Sequence, residues 1–178
     1  MASWVVLLRG INVGGRNKLP MADLRALLEG LGAEGVQTYI QSGNAVLRST
    51  ERSAARLERA IAEGIEAGRG FRPGVMVLRK AVIDAALAGN PFTHAAEPKH
   101  VHVCFLAQRP KAGTFDDLLE LAAADEEAQL EGQLLYLHAP SGMARSKLAA
   151  AVERRLGVEA TARNLRTVEA LAELAAGA

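Results

Sequence analysis

The chain has 178 residues, 49% of them hydrophobic, and its 21 Lys and Arg against 20 Asp and Glu leave a formal net charge of +1. That length fits one domain or two small lobes with a proper core, and the charge balance gives no whole-molecule field to draw in nucleic acid or an anionic membrane. A single cysteine, Cys104, excludes a disulfide framework and a cysteine-based zinc finger; with no secretory signal and no run of membrane-spanning length, a soluble cytoplasmic protein is expected.

Trp4 to Leu8 is apolar throughout and reads as a buried strand. A loop with three glycines, two asparagines and three cations follows, and Pro20 opens a helix over Met21 to Leu31. Leu24, Leu27, Leu28 and Leu31 form one face of that helix, and Gly32 suits its end. Val36 to Ile40 and Ala45 to Arg48 read as strands joined by a hairpin turn at Ser42-Gly43-Asn44. Ser53 to Glu66 reads as a helix with Leu57, Ile61 and Ile65 inward, ended by Gly68 to Gly70, and Val75 to Leu78 as a fourth strand. Lys80 to Ala88 reads as a helix stopped at Asn90-Pro91, and Val101 to Leu106 as a strand. Thr114 is expected to cap a helix through Leu121, with Asp117 completing a capping box. A strand pair across Gly132 (Gln129 to Glu131 and Leu134 to His138), a helix over Ser146 to Leu156, a short strand over Val158 to Thr161 and a helix over Leu165 to Ala175 complete the chain.

Each half therefore reads βαββαβ. The fold class expected is α+β: two tandem ferredoxin-like lobes with antiparallel sheets and an extra C-terminal helix. The boundaries implied are residues 1–79 for the first lobe, 80–98 for a connector and 99–178 for the second lobe with its terminal helix. Right-handed crossovers place the third strand of each lobe between the first and second. The glycine-rich loop after strand one and the turn at Gln41-Ser42-Gly43-Asn44 then share one end of the sheet and should converge. The same rule brings Ser141 to Lys147 toward Arg163-Asn164 in the second lobe.

Backbone N–H groups exposed by a glycine-rich loop ahead of a helix are suited to anions. The candidate site is accordingly built from Arg9, Asn12, Gly14, Gly15, Asn17, Gln41, Ser42 and Asn44. Arg9 would supply charge, Gly14 and Gly15 backbone donors, and Asn12, Gln41 and Asn44 orientation. The loop is neither a Walker A loop nor a dinucleotide-binding GxGxxG sequence. Arg145, Ser146, Lys147, Arg163 and Asn164 are secondary candidates, since cations at a helix start can hold phosphate; Ser146 and Asn164 equally suit helix caps.

His100, His102 and Cys104 alternate on one side of a strand, opposite a core-facing Val101, Val103 and Phe105 stripe. His138 is the one conceivable fourth ligand, and no metal site is assigned. No spaced carboxylate pair announces acid–base work, and no cofactor is named by these residues. The strands that would carry base-stacking aromatics in an RNA-binding module offer only Trp4.

Leu7-Leu8-Arg9-Gly10-Ile11-Asn12-Val13-Gly14-Gly15, Pro20-Met21 and Tyr39-Ile40-Gln41-Ser42-Gly43-Asn44 resemble the signature of a bacterial family of uncharacterised proteins, domain-of-unknown-function family 1697. The likeness continues through Asn90-Pro91-Phe92, Val101-His102-Val103, Phe105-Leu106, Arg145-Ser146-Lys147-Leu148 and Ala162-Arg163-Asn164. The resemblance implies an α+β fold with two ferredoxin-like parts and brings no activity. It marks Arg9, Asn12, Gly14, Gly15, Gln41, Ser42 and Asn44 as positions that matter. Leu165 stands where the family has tryptophan, and Cys104 where it has another small residue. The function expected is binding of a small phosphate- or carboxylate-bearing molecule by the loop and the turn, the alternatives being an enzyme acting on such a molecule or a nucleic-acid-binding module. The sequence does not speak to oligomeric state.

Overall fold

The computed structural model describes residues 1–177. Its first four strands are β1 (Ala2–Arg9), β2 (Glu34–Tyr39), β3 (Asn44–Ser49) and β4 (Gly74–Arg79). They form one sheet in the order β2-β3-β1-β4, with every neighbouring pair antiparallel. Helices α1 (Met21–Gly30) and α2 (Ala54–Arg69) supply the crossovers, and α3 (Lys80–Ala88) follows β4 directly. The second sheet repeats the arrangement with β5 (Val101–Leu106), β6 (Glu127–Glu131), β7 (Leu134–His138) and β8 (Ala160–Asn164) in the order β6-β7-β5-β8. Its helices are α4 (Thr114–Leu119), α5 (Lys147–Ala150) and α6 (Val152–Leu156), and α7 (Leu165–Gly177) ends the described chain. This is an α+β chain of two tandem βαββαβ lobes. No helix of the described residues is long and apolar enough to cross a membrane.

Each sheet hides its central strand because two neighbours satisfy that strand's backbone while its side chains alternate between faces. In the first lobe Trp4, Val6 and Leu8 of β1 pack with Leu24 and Leu28 of α1, and with Leu57, Ile61 and Ile65 of α2. The α2 stripe at i, i+4, i+8 produces this directly. Ser53 caps α2 by accepting from the Arg56 N–H (3.3 Å), and Gly70 closes it at φ +76°. In the second lobe Cys104 and Leu106 of β5 pack with Leu135, Leu137, Leu118, Leu148 and Leu156.

Three local expectations give way. Thr114 is the first helical residue of α4 instead of its cap: Gly113 occupies the cap at φ +86°, and the Thr114 hydroxyl donates to the Lys111 carbonyl (2.7 Å). The helix expected over Ser146 to Leu156 is two short helices, with Ala151 at φ −100° and ψ −2° as the end cap of one and the start cap of the next. Finally β5 is buried on both faces, not half-buried. Val101, Val103 and Phe105 are as hidden as Cys104.

The chain divides into two compact units, one of Met1–Ala85 with the stretch from Glu169 onward and one of Ala86–Val168. This division falls inside α3 and inside α7, whereas the sequence reading places boundaries at 79/80 and 98/99. The later part of α7 joins the first unit beside the edge strand β2, where Ala170, Glu173 and Leu174 line a hollow with Gln37 and Tyr39. Within the second unit the buried Tyr136 hydroxyl donates to the Ala86 carbonyl (2.9 Å). Tyr136→Phe is expected to cost about 1–2 kcal/mol, because the carbonyl is then buried without its donor; urea titration of both proteins measures it.

Candidate functional site

The loop after β1 is a miniature hairpin. The Arg16 N–H donates to the Val13 carbonyl (3.0 Å) and the Asn12 N–H to the Asn17 carbonyl (3.1 Å). Gly14 and Gly15 form its tip at φ +58° and +75°. Two successive positive φ values suit the mirror-image turns that join tightly twisted strands. Asn17, itself at φ +51°, donates from its side chain to the Gly10 carbonyl (2.8 Å) and closes the base of the loop.

The expected convergence of loop and turn is present. The Asn12 amide donates to the Leu19 carbonyl (2.9 Å) and to the Gln41 carbonyl (2.8 Å), while its oxygen accepts from the Leu19 N–H (2.8 Å). The Gly43 carbonyl accepts from the Leu8 N–H (2.8 Å). A Cβ on Gly43 would lie 2.6 Å from Leu8 Cβ and 2.7 Å from Ile11 Cδ1, so glycine at φ +79° is what lets the turn seat against the strand exit. Next to it Ile40, a half-exposed β-branched residue, holds φ +49°. Such a conformation costs about 1–3 kcal/mol and persists only where its surroundings over-determine it.

These contacts reassign several expected ligand residues. Asn12 has both amide hydrogens and its oxygen engaged, twice with Leu19 of its own loop and once with the Gln41 turn. Asn44 is fully buried and donates to the Tyr39 carbonyl (3.1 Å) and the Ser42 hydroxyl (2.8 Å), which makes it a brace inside the turn. Arg9 lies along β4 with its side chain against Gly74. The cavity at this end, about 420 Å³, is lined by Asn12, Gly15, Lys18, Leu19, Pro20 and Gln41. Arg9, Gly14, Asn17, Ser42 and Asn44 are not in that lining. The cation in that lining is Lys18, one of the three cations of the loop and not among the expected ligand residues. Pro20 stands at the start of α1, whose positive dipole end therefore borders the cavity.

In the second lobe Ser146 and Asn164 are caps. Ser146 is buried and accepts from the Ala149 N–H (2.9 Å), and Asn164 accepts from the Thr167 N–H (3.0 Å). The pairings Val101 with His138 and His102 with Asn164 put the exits of β7 and β8 at one sheet end, as expected. Arg145 and Lys147 line a hollow of about 320 Å³ that also contains Glu126, and Arg163 and Asn164 are not part of it. Burial lowers the Arg163 guanidinium to about 10.

The His100, His102 and Cys104 arrangement fails as a ligand set. Cys104 is buried in the helix-packed core, where desolvation pushes its thiol up to about 12. Burial likewise lowers His102, disfavouring its charged form. His138 sits opposite Val101 and hence on the other face of the sheet. There it meets Glu127 of β6 and His94 of the segment before β5, and hydrogen bonds from His138 first, then His94, hold the Glu127 carboxyl below its usual range. This cluster had no signal in sequence spacing. Trp4 also lies in the core, with the Arg79 guanidinium 3.7 Å from its ring centroid, so it offers no base-stacking face.

A family model described as a protein of unknown function (DUF1697) matches residues 1–136. The conserved bacterial protein SP0830 from Streptococcus pneumoniae, a solved structure, is similar in fold. It shares 24% identity with a TM-score of 0.71 over 98% of each chain. No curated protein matches the chain.

Proposed function

Since the chain belongs to this DUF1697 family of proteins of unknown function, its kinship carries no activity, and we propose from its geometry that it binds a small phosphate- or carboxylate-bearing molecule in the cavity between the glycine-rich loop and the Gln41 turn. One observation carries the reading: the six lining residues hold a single formal charge, Lys18, and no carboxylate. Gly15, Gln41 and the opening of α1 border the same cavity, and loop N–H groups and a helix start are suited to an anion. Asn12 and Asn44 serve by keeping loop and turn in register. Lys18 alone cannot form an acid–base pair within that lining, so binding is favoured over catalysis. The first-turn acid of α1, Asp23, is paired with Arg69 of α2, so its charge is neutralised rather than opposed to an anion.

The test is a thermal-shift screen of phosphate- and carboxylate-bearing metabolites, followed by calorimetry on the best of them. Lys18→Ala is expected to weaken binding roughly tenfold, the loss of one charged hydrogen bond, without moving the ligand-free unfolding midpoint. Arg9→Ala is expected to leave affinity unchanged. Equal affinity in wild-type and Lys18→Ala proteins rejects the site.

A further inference from the structure

We propose that His94, Glu127 and His138 form a binding site for a divalent first-row transition-metal ion of the zinc class. One ligand atom from each lies within 4.8 Å of the other two, the one such grouping of three found among the described residues. His94 Nε2 and His138 Nδ1 both stand 3.0 Å from the same oxygen, Glu127 Oε1.

The convergence is built in two steps. Strand register sets Glu127 directly opposite His138 across the β6–β7 ladder, so their side chains rise as cross-strand neighbours on one face. Phe92 then packs its ring against both histidines, at 6.1 Å from His94 and 5.8 Å from His138 between centroids. Its own N–H donates to Asn90 Oδ1 (3.0 Å), which holds the segment carrying His94 in place. The two imidazoles meet edge to face at 5.7 Å. The rings are thus held by an apolar wall, with their nitrogens directed at one carboxylate oxygen.

Tetrahedral zinc with bonds near 2.0–2.1 Å requires ligand atoms roughly 3.3 Å apart. Two of the three edges already sit at 3.0 Å, and the third is no longer than 4.8 Å. Closing it takes a small swing of His94, whose side chain is 59% exposed, while His138 is anchored at 12%. The donor set, two imidazoles and a carboxylate, is the kind that zinc and its first-row neighbours accept. To bind an ion each ring would offer the nitrogen lone pair in place of its present hydrogen bond to Oε1. Three protein ligands leave at least one position open to water or a small anion. As ion pairs alone these exposed contacts would contribute little to stability. All three ligand residues belong to the second unit, and none of them lines the anion cavity.

The test uses the untagged full chain, stripped with chelator and titrated with zinc chloride in competition with a chromophoric chelator. One zinc per chain is expected. His94→Ala, in an exposed side chain, is expected to weaken binding roughly tenfold or more with an unchanged circular dichroism spectrum. Glu127→Gln should do the same, and His100→Ala, at another histidine, should leave affinity at the wild-type value. Cobalt chloride should give visible absorption bands in the wild-type protein that His94→Ala removes. Zinc that binds with no fixed stoichiometry, or with equal affinity in His94→Ala, overturns the proposal.

Discussion

Gly43→Ala is expected to lower the unfolding midpoint of the first unit by roughly 6–12 °C, the equivalent of about 3 kcal/mol in a chain of this size. Two costs add. An alanine at φ +79° takes on about 1–2 kcal/mol of left-handed strain. Its Cβ also meets Leu8 Cβ at 2.6 Å, a rigid atom on the central strand, so relief requires the turn to lift away; overpacking of that kind adds about 1–3 kcal/mol. Gly70→Ala separates the two costs. It shares a φ of +76° but has nothing within 4 Å of its would-be Cβ, so it should show only the backbone part. Differential scanning calorimetry of both variants reads the difference, and equal losses would show that the collision with Leu8 is relieved cheaply.

Asn12→Ala is expected to cost about 2–3 kcal/mol, since it removes three hydrogen bonds and puts alanine at a positive φ. The partners left behind are the Leu19 N–H and the Leu19 and Gln41 carbonyls. The sharper readout is local. Hydrogen exchange at the Leu19 amide should accelerate strongly while amides in β1 stay protected. The cavity loses its wall in the same step, so ligand binding should fall with it. Asn12→Asp keeps an acceptor for Leu19 but sets a carboxylate against two carbonyls, and should behave almost as badly. Unchanged exchange at Leu19 would mean the loop is held by its own turn.

Much of the architecture was legible in the chain. The bounds of α3, β5 and β7 could be read residue for residue, α3 from its stop at Gly89-Asn90-Pro91 and the two strands from their apolar runs. The meeting of loop and turn followed from crossover handedness alone. Side-chain direction inside the loop did not follow. Asn12, Asn17 and Ile40 take positive φ, and a backbone in that region turns a side chain away from where an extended reading puts it. Asn12 and Asn44 are thus internal braces, and Lys18 lines the cavity where Arg9 does not. The histidine cluster was illegible for another reason. It joins a cross-strand pair, which only register reveals, to a residue from an irregular segment with no periodicity to read. Alternation along β5 does not say which face its neighbour presents, so the sequence does not separate His138 from the His102 and Cys104 side.

The division of the chain has a consequence for its biosynthesis. The unit that begins at Met1 is finished only by the stretch from Glu169, and the whole of Ala86–Val168 is translated in between. Domains that emerge first usually settle first. Until the stretch from Glu169 is made, the flank of β2 near Tyr39 lacks Ala170 and Leu174, which line a hollow with it. During that interval β2, an edge strand, is expected to be the more open to pairing with another chain.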